Sequence, residues 1–272
     1  GTGDGPCGID QHGSNKAYAL TRLTESLTIV DNHTLENKGF IDLQHRPRST
    51  NFNGNPLLSL VSGGNKAMTS IIRTDMDKVT KVVGIDELTT PHDFGGSLST
   101  GHPLWVSDTH FFMLDRAARE IQLWNRDGQL LSTLDVPTSV HHIFQPPAST
   151  MGVHEANVFY AVIEGNQQEQ VSPGVLRFHI KHNNLIQTAQ VDLHSYDPLN
   201  LDITKMGAHH ADFHPNGETI YIGSAEGHVF VINKNSMDIE AMVEAGTGAG
   251  HTTFLPMRNQ AIITNSNSTF VT

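Results

Sequence analysis

Apolar and polar positions alternate in runs of about five residues, separated by turns rich in Gly, Asn and Asp, which is a β-strand grammar. Long stretches with the helical 3.6-residue period are missing. Lys16–Thr21 reads as a strand, followed by Ser26–Asp31, a turn at Asn32-His33 and a further strand over residues 38–41. The same order recurs over residues 218–223, 227–232, a turn at Asn233-Lys234-Asn235, and residues 237–242. A third copy occupies residues 109–115, 120–124, a turn at Asn125-Arg126-Asp127-Gly128, and residues 129–134.

Each copy takes roughly 40 residues, the period of the blades of a β-propeller. One four-stranded antiparallel sheet cannot bury both its faces, but sheets packed radially cover one another. The expected fold is therefore all-β, a single propeller domain over residues 1–272, with blades starting near Cys7, Leu57, His102, His141, His209 and His251. The segment over residues 151–194 is longer than its siblings, so blade four is expected to carry an insertion, with residues 165–170 as its exposed loop. Residues 265–272 match the turn and third strand of blade one and stop there. The expectation is about five and a half blades of an intact seven or eight, with sequence missing at the C-terminus.

Composition narrows the function classes. Seventeen Lys and Arg against 28 Asp and Glu leave a net charge of −11, the wrong sign for nucleic acid or an anionic membrane surface. No apolar run approaches the length of a membrane-spanning helix. The single Cys excludes a disulfide framework within the chain and a Cys-rich zinc module. Against this background 17 His is a large number, equal to Lys and Arg together.

Their placement follows the repeat. In a propeller the first strand of each blade lies nearest the axis, so residues at its entrance can face a shared channel. Four entrances in succession carry His: Gly101-His102-Pro103, Val140-His141-His142-Ile143, Ala208-His209-His210-Ala211 and Gly250-His251-Thr252. Three or four converging neutral imidazoles suit zinc or copper, and their affinity should fall below roughly pH 6 as the rings protonate. Neighbours in a regular strand point to opposite faces, so both members of a His pair can bind only where the strand is irregular. Otherwise one member serves as a hydrogen-bonding support for the other.

Other residues read more plainly. His33, His45 and His182 are expected in solvent, and His214 is expected to cap the Pro215-Asn216-Gly217 turn beside Asp212. His154-Glu155 lacks the second His of a helical zinc-protease motif. The Gly-rich segments 1–6 and 246–250 lack the Lys-Ser/Thr of a phosphate loop and read as one inter-blade loop occurring twice. That alignment puts Cys7 at the entrance where His251 sits in blade six. Trp105 and Trp124 are expected to pack between blades.

The units Ser26–Asp31 and 227–232 resemble the YVTN-type β-propeller repeat, a likeness that bears on fold. The Val140-His141-His142 and Gly250-His251-Thr252 entrances resemble the histidine hub of nitrous oxide reductase. They are also similar to the periplasmic zinc-metallochaperone propellers that serve zinc uptake systems. The reductase identity would also require a C-terminal domain with a Cys-rich copper site, which is not within residues 1–272. These resemblances imply a periplasmic or extracellular propeller that holds zinc, or alternatively copper, for handling or delivery to an acceptor protein. The expected ligands are His102, His141, His142, His209, His210 and His251. The other readings are a copper-dependent propeller enzyme and a metal-free protein-interaction propeller. Zinc leads because Met and Cys, the softer ligands for copper(I), do not occupy the same entrances.

Overall fold

The computed structural model describes residues 6–11, 15–54, 57–88, 99–152, 155–196, 207–255, 258 and 260–272, with backbone only at 6–11, 54 and 88. The Gly-rich residues 1–5, His154 and the side chain of Cys7 lie outside the described residues. Among the described residues there are 22 strands and a 3-10 turn at Leu193–Ser195, and no α-helix. The chain divides into two compact units, residues 1–135 and 136–272.

The first unit holds three four-stranded sheets, each an antiparallel meander in chain order. The first comprises β1 (Pro6–Gln11), β2 (Lys16–Thr21), β3 (Ser26–Asp31) and β4 (Asn37–Asp42). The second comprises β5 (Pro47–Gly54), β6 (Leu57–Gly63), β7 (Lys66–Arg73) and β8 (Lys78–Leu88). The third comprises β9 (Leu104–Trp105), β10 (His110–Asp115), β11 (Glu120–Asn125) and β12 (Leu130–Asp135). Blade two thus opens at Pro47 rather than Leu57, which begins its second strand. Its first strand reads Arg-Ser-Thr-Asn-Phe-Asn in the middle, and that polar run hides it from a hydrophobic pattern.

Apolar side chains of neighbouring sheets interlock. Tyr18, Leu20, Leu27 and Ile29 of blade one pack with Val61 and Ile72 of blade two. Leu60 and Ile71 turn the other way, onto Phe111 and Met113 of blade three, joined by Trp105 and Trp124. Consecutive residues such as Leu60-Val61 and Ile71-Ile72 therefore serve opposite faces, which is why inner strands read as near-continuous apolar runs. Outermost strands such as β4 and β12 are largely exposed and correspondingly polar.

The second unit repeats the scheme with β13 (Val140–Phe144), β14 (Val158–Ile163), β15 (Gly174–Lys181) and β16 (Asn184–Asp192). Then come β17 (Ala208–Phe213), β18 (Thr219–Ser224), β19 (His228–Asn233) and β20 (Ile239–Glu244), and the pair β21 (Ala249–Leu255) and β22 (Gln260–Asn265). The loop expected to be exposed in blade four is only partly so. Gly165 and Asn166 are buried, Asn166 exchanges backbone hydrogen bonds of 2.8 and 2.9 Å with Val171, and residues 167–170 form the exposed tip. Thr272 exchanges both backbone hydrogen bonds with Ile263, at 2.7 and 3.0 Å, along the open edge of β22.

Backbone hydrogen bonds also fasten blades together at their entrances. Ala208 N–H reaches Glu164 O at 3.1 Å, Gly248 N–H reaches Ala225 O at 2.8 Å, and in the first unit Ser99 N–H reaches Gly64 O at 2.9 Å. The donor in each case lies just before or at the start of the first strand of one blade, and the acceptor follows the second strand of the blade before it. This fixes the height at which successive entrances meet.

Candidate functional site

The irregularity that the His pairs require is present. Val140 pairs with Ile163 and Ile143 with Ala161, so His141 and His142 together stand opposite the single residue Val162. Ala208 pairs with Ser224 and Ala211 with Ile222, which sets His209 and His210 opposite Gly223. Ala249 pairs with Asn265 and Thr252 with Ile263, which sets Gly250 and His251 opposite Thr264. Each is a β-bulge, one extra residue that breaks the strict alternation of faces and re-aims the side chains it carries.

The consequence is a cluster of five imidazoles from three successive blades. His141 and His142 are buried, at 2% and 6% exposure. The His141 ring centroid is 4.1 Å from that of His209 and 6.0 Å from that of His210. The His142 ring stacks on His210 at 3.8 Å and 17°. His251 completes the group, 4.2 Å from His210 and 5.4 Å from His209. Both members of each His pair thus join the same cluster, which a regular strand would forbid. His209 and His251 are the exposed members.

Blade six reaches this cluster because Gly223 has no side chain. A Cβ there would stand 2.5 Å from Ala249 O, 2.8 Å from Ala249 C and 2.9 Å from Gly250 O. The entrance of β21 therefore lies directly on the backbone of β18 and carries His251 onto His210.

Polar contacts assign some of the ring nitrogens. His142 Nε2 is 2.9 Å from Ala211 O, an acceptor, so Nε2 carries the proton and Nδ1 the lone pair. His141 Nδ1 lies 3.2 Å from that His142 Nδ1. Asp212 Oδ2 lies 3.3 Å from His210 Nδ1. Burial lowers the His251 pKa, a charge on His210 lowers it further, and Asp212 opposes both. His251 is accordingly a neutral ring at neutral pH.

His102 belongs to the first unit. There its Nδ1 is 2.7 Å from the hydroxyl of Ser49, which sits in the bulge of β5, where Pro47 pairs with Gly63 and Ser49 with Ser62. Among the described residues no three His, Cys, Asp or Glu side chains are already grouped as a metal site. His33 and His182 are exposed as expected, and His214 Nδ1 accepts from Asn216 N–H at 3.2 Å, capping its turn. His45 is a correction. It is fully buried, with Nε2 2.8 Å from Ser70 Oγ, and burial pushes its pKa down to about 4. Sequence reading also passed over Asp212 as part of a turn. The signal was its spacing of two from His210, which places both on one side of β17.

No known protein family matches the chain by sequence, and no curated relative does. Solved structures do. A protein of Lactobacillus plantarum superposes with a TM-score of 0.71 at 13% identity, over 97% of this chain and 78% of its own. A Bacteroides uniformis protein provisionally assigned as a 6-phosphogluconolactonase gives 0.69 at 13% identity, over 97% and 78%. The WD40 β-propeller domain of Doa1 gives 0.60 at 11% identity, over 97% and 79%. The fold is a β-propeller. At this level of identity the likeness carries the fold of the propeller and nothing of its chemistry. Among its described residues no helix is long and apolar enough to cross a membrane.

Proposed function

We propose that this propeller binds a transition-metal ion, zinc in the first place and copper as the alternative, through imidazoles at its bulged strand entrances. Its task in this reading is metal handling or delivery to an acceptor protein, in the periplasm or at the cell exterior. The observation that supports it is the meeting of His141, His142, His209, His210 and His251 from three blades in one cluster. The donor set suits the ion, being all imidazole nitrogen with one carboxylate beside it. Two nitrogens bound to one tetrahedral zinc stand about 3.3 Å apart, given Zn–N bonds of about 2.05 Å. The two Nδ1 atoms of His141 and His142 stand 3.2 Å apart, joined by a hydrogen bond from His141 Nδ1–H to the His142 lone pair. An ion would take that proton's place once His141 carries its proton on Nε2. Rotation of the exposed rings of His209 and His251 brings in further donors. An accessible, incompletely formed site of this kind suits transfer better than a closed structural cage does.

The deciding experiment is metal analysis of protein purified without chelator, together with His209→Ala and His251→Ala. The expected result is bound metal in the parent chain and a loss of content in the variants. Unchanged content in both variants overturns the site. Colourless protein loaded with zinc supports handling, whereas a coloured copper centre with turnover supports the enzyme reading.

A further inference from the structure

The stacked rings of His142 and His210 face polar partners through opposite nitrogens. On His142 that atom is Nε2, held by the carbonyl of Ala211 at 2.9 Å. On His210 the atom facing a partner is Nδ1. It is buried, makes no aligned hydrogen bond, and has Asp212 Oδ2 at 3.3 Å. A neutral imidazole has one N–H and one lone pair, and the nitrogen that faces an acceptor keeps the proton. We propose that Asp212 is a positioning residue for the metal site, holding the proton on Nδ1 of His210 so that Nε2 is its donor atom. The inference rests on the metal reading above.

Two consequences follow from the chemistry. The stacked rings then offer different nitrogens to an ion, Nδ1 from His142 and Nε2 from His210. The carboxylate also fixes the rotation of His210 and raises its basicity, as carboxylates behind ligating histidines do. Backbone and side chain share this work along one short stretch of β17. Ala211 orients a ring of the preceding blade, and Asp212 orients a ring of its own.

The test uses the full chain and two readouts. Long-range nitrogen–proton spectra of the His side chains, without metal, are expected to show His210 as the Nδ1–H tautomer and His142 as the Nε2–H tautomer. Zinc affinity, measured by competition with a chelating dye, is expected to fall about 10–100-fold in Asp212→Ala and to recover substantially in Asp212→Glu. In Asp212→Ala the Nδ1–H preference of His210 is expected to disappear while that of His142 stays. An Nε2–H tautomer at His210 in the parent chain overturns the proposal, and so does Asp212→Ala binding zinc within two-fold of the parent. If the parent takes up neither zinc nor copper, the metal reading fails and this proposal fails with it. Zinc uptake that is indifferent to residue 212 leaves the metal reading standing and overturns only the role of Asp212.

Discussion

Gly223→Ala is the sharpest single perturbation of the candidate site, although Gly223 carries no functional group. A methyl there would sit 2.5 Å from Ala249 O, where ordinary contact is about 3.4 Å or more, so the strand must yield by about 0.9 Å. The obstacle is backbone on a strand paired to β22 and fastened through Gly248 N–H to Ala225 O at 2.8 Å, so it cannot swing aside as a side chain would. Overpacking of this type costs about 1–3 kcal/mol. Replacing Gly by Ala returns about 0.4–1 kcal/mol through the unfolded chain. The expected net loss is about 1–2 kcal/mol, or a urea midpoint lower by about 0.3–0.7 M for an m-value of about 3 kcal/mol/M. Gly250→Ala is the control. Its Cβ would meet Thr264 Oγ1 at 3.6 Å, Gly248 O at 3.7 Å and His209 Cδ2 at 3.8 Å, all ordinary contacts. Its midpoint should equal the parent's or exceed it by up to about 0.3 M, from the same unfolded-chain effect. Because the displaced strand carries His251, Gly223→Ala should also weaken zinc binding while Gly250→Ala leaves it nearly intact. Equal midpoints for Gly223→Ala and the parent, or a larger loss in Gly250→Ala, would refute the close approach of β21 to β18.

Acid should destabilise the first unit through His45. Its folded pKa of about 4 lies below the ordinary 6.5, so the unfolded state takes up the proton first. Stability is then lost as pH falls from about 6.5 to about 4, by up to about 3 kcal/mol, and is unaffected above that window. His45→Gln should flatten that part of a melting-temperature profile, and an unchanged slope counts against it. The groups acting on the ring are Arg46 O, Glu25 and Lys66, with the Ser70 hydroxyl on Nε2. In the second unit the buried Lys234 ammonium is 2.8 Å from Glu155 and 3.8 Å from Glu218. Glu155→Ala strands that charge and should lower the urea midpoint more than Lys234→Met, which removes it. The reverse order would show that the pair is held by packing alone.

Much of the fold was legible because the inner strands are buried on both faces. The runs Lys16–Thr21 and Ser26–Asp31 coincide with β2 and β3 residue for residue. Where burial comes from polar residues the pattern fails. β5 is the case in point, since Arg48 and Ser49 are buried without an apolar signature. His45 escaped for a related reason: Ser70, its partner, is 25 residues away, and no local pattern announces a hydrogen bond across a sheet. The His repeat at the entrances could be read, but the bulges could not. Strand alternation allows both rings of a pair to serve only where the strand is irregular, and the extra residue in β13 and β17 supplies that irregularity.

The bulge also bears on what the histidines are for. It occurs in blade one, where Pro6 pairs with Thr21 and Gly8 with Leu20, and in blade two at Arg48-Ser49. Neither of those bulges contains His, so the backbone device does not need imidazole. Nor does packing favour it, since His141 and His142 are buried polar rings that must be hydrogen-bonded to avoid a desolvation cost of about 1–3 kcal/mol each. The blade-two bulge buries Arg48 and Ser49, so these positions accept polar side chains of several kinds, and imidazole is one choice among them. Three successive bulges direct imidazoles into one cluster and leave two of the rings exposed. The feature left to explain is the recurrence of imidazole at three successive entrances, and the metal ligation proposed above would account for both that recurrence and the exposure of two rings.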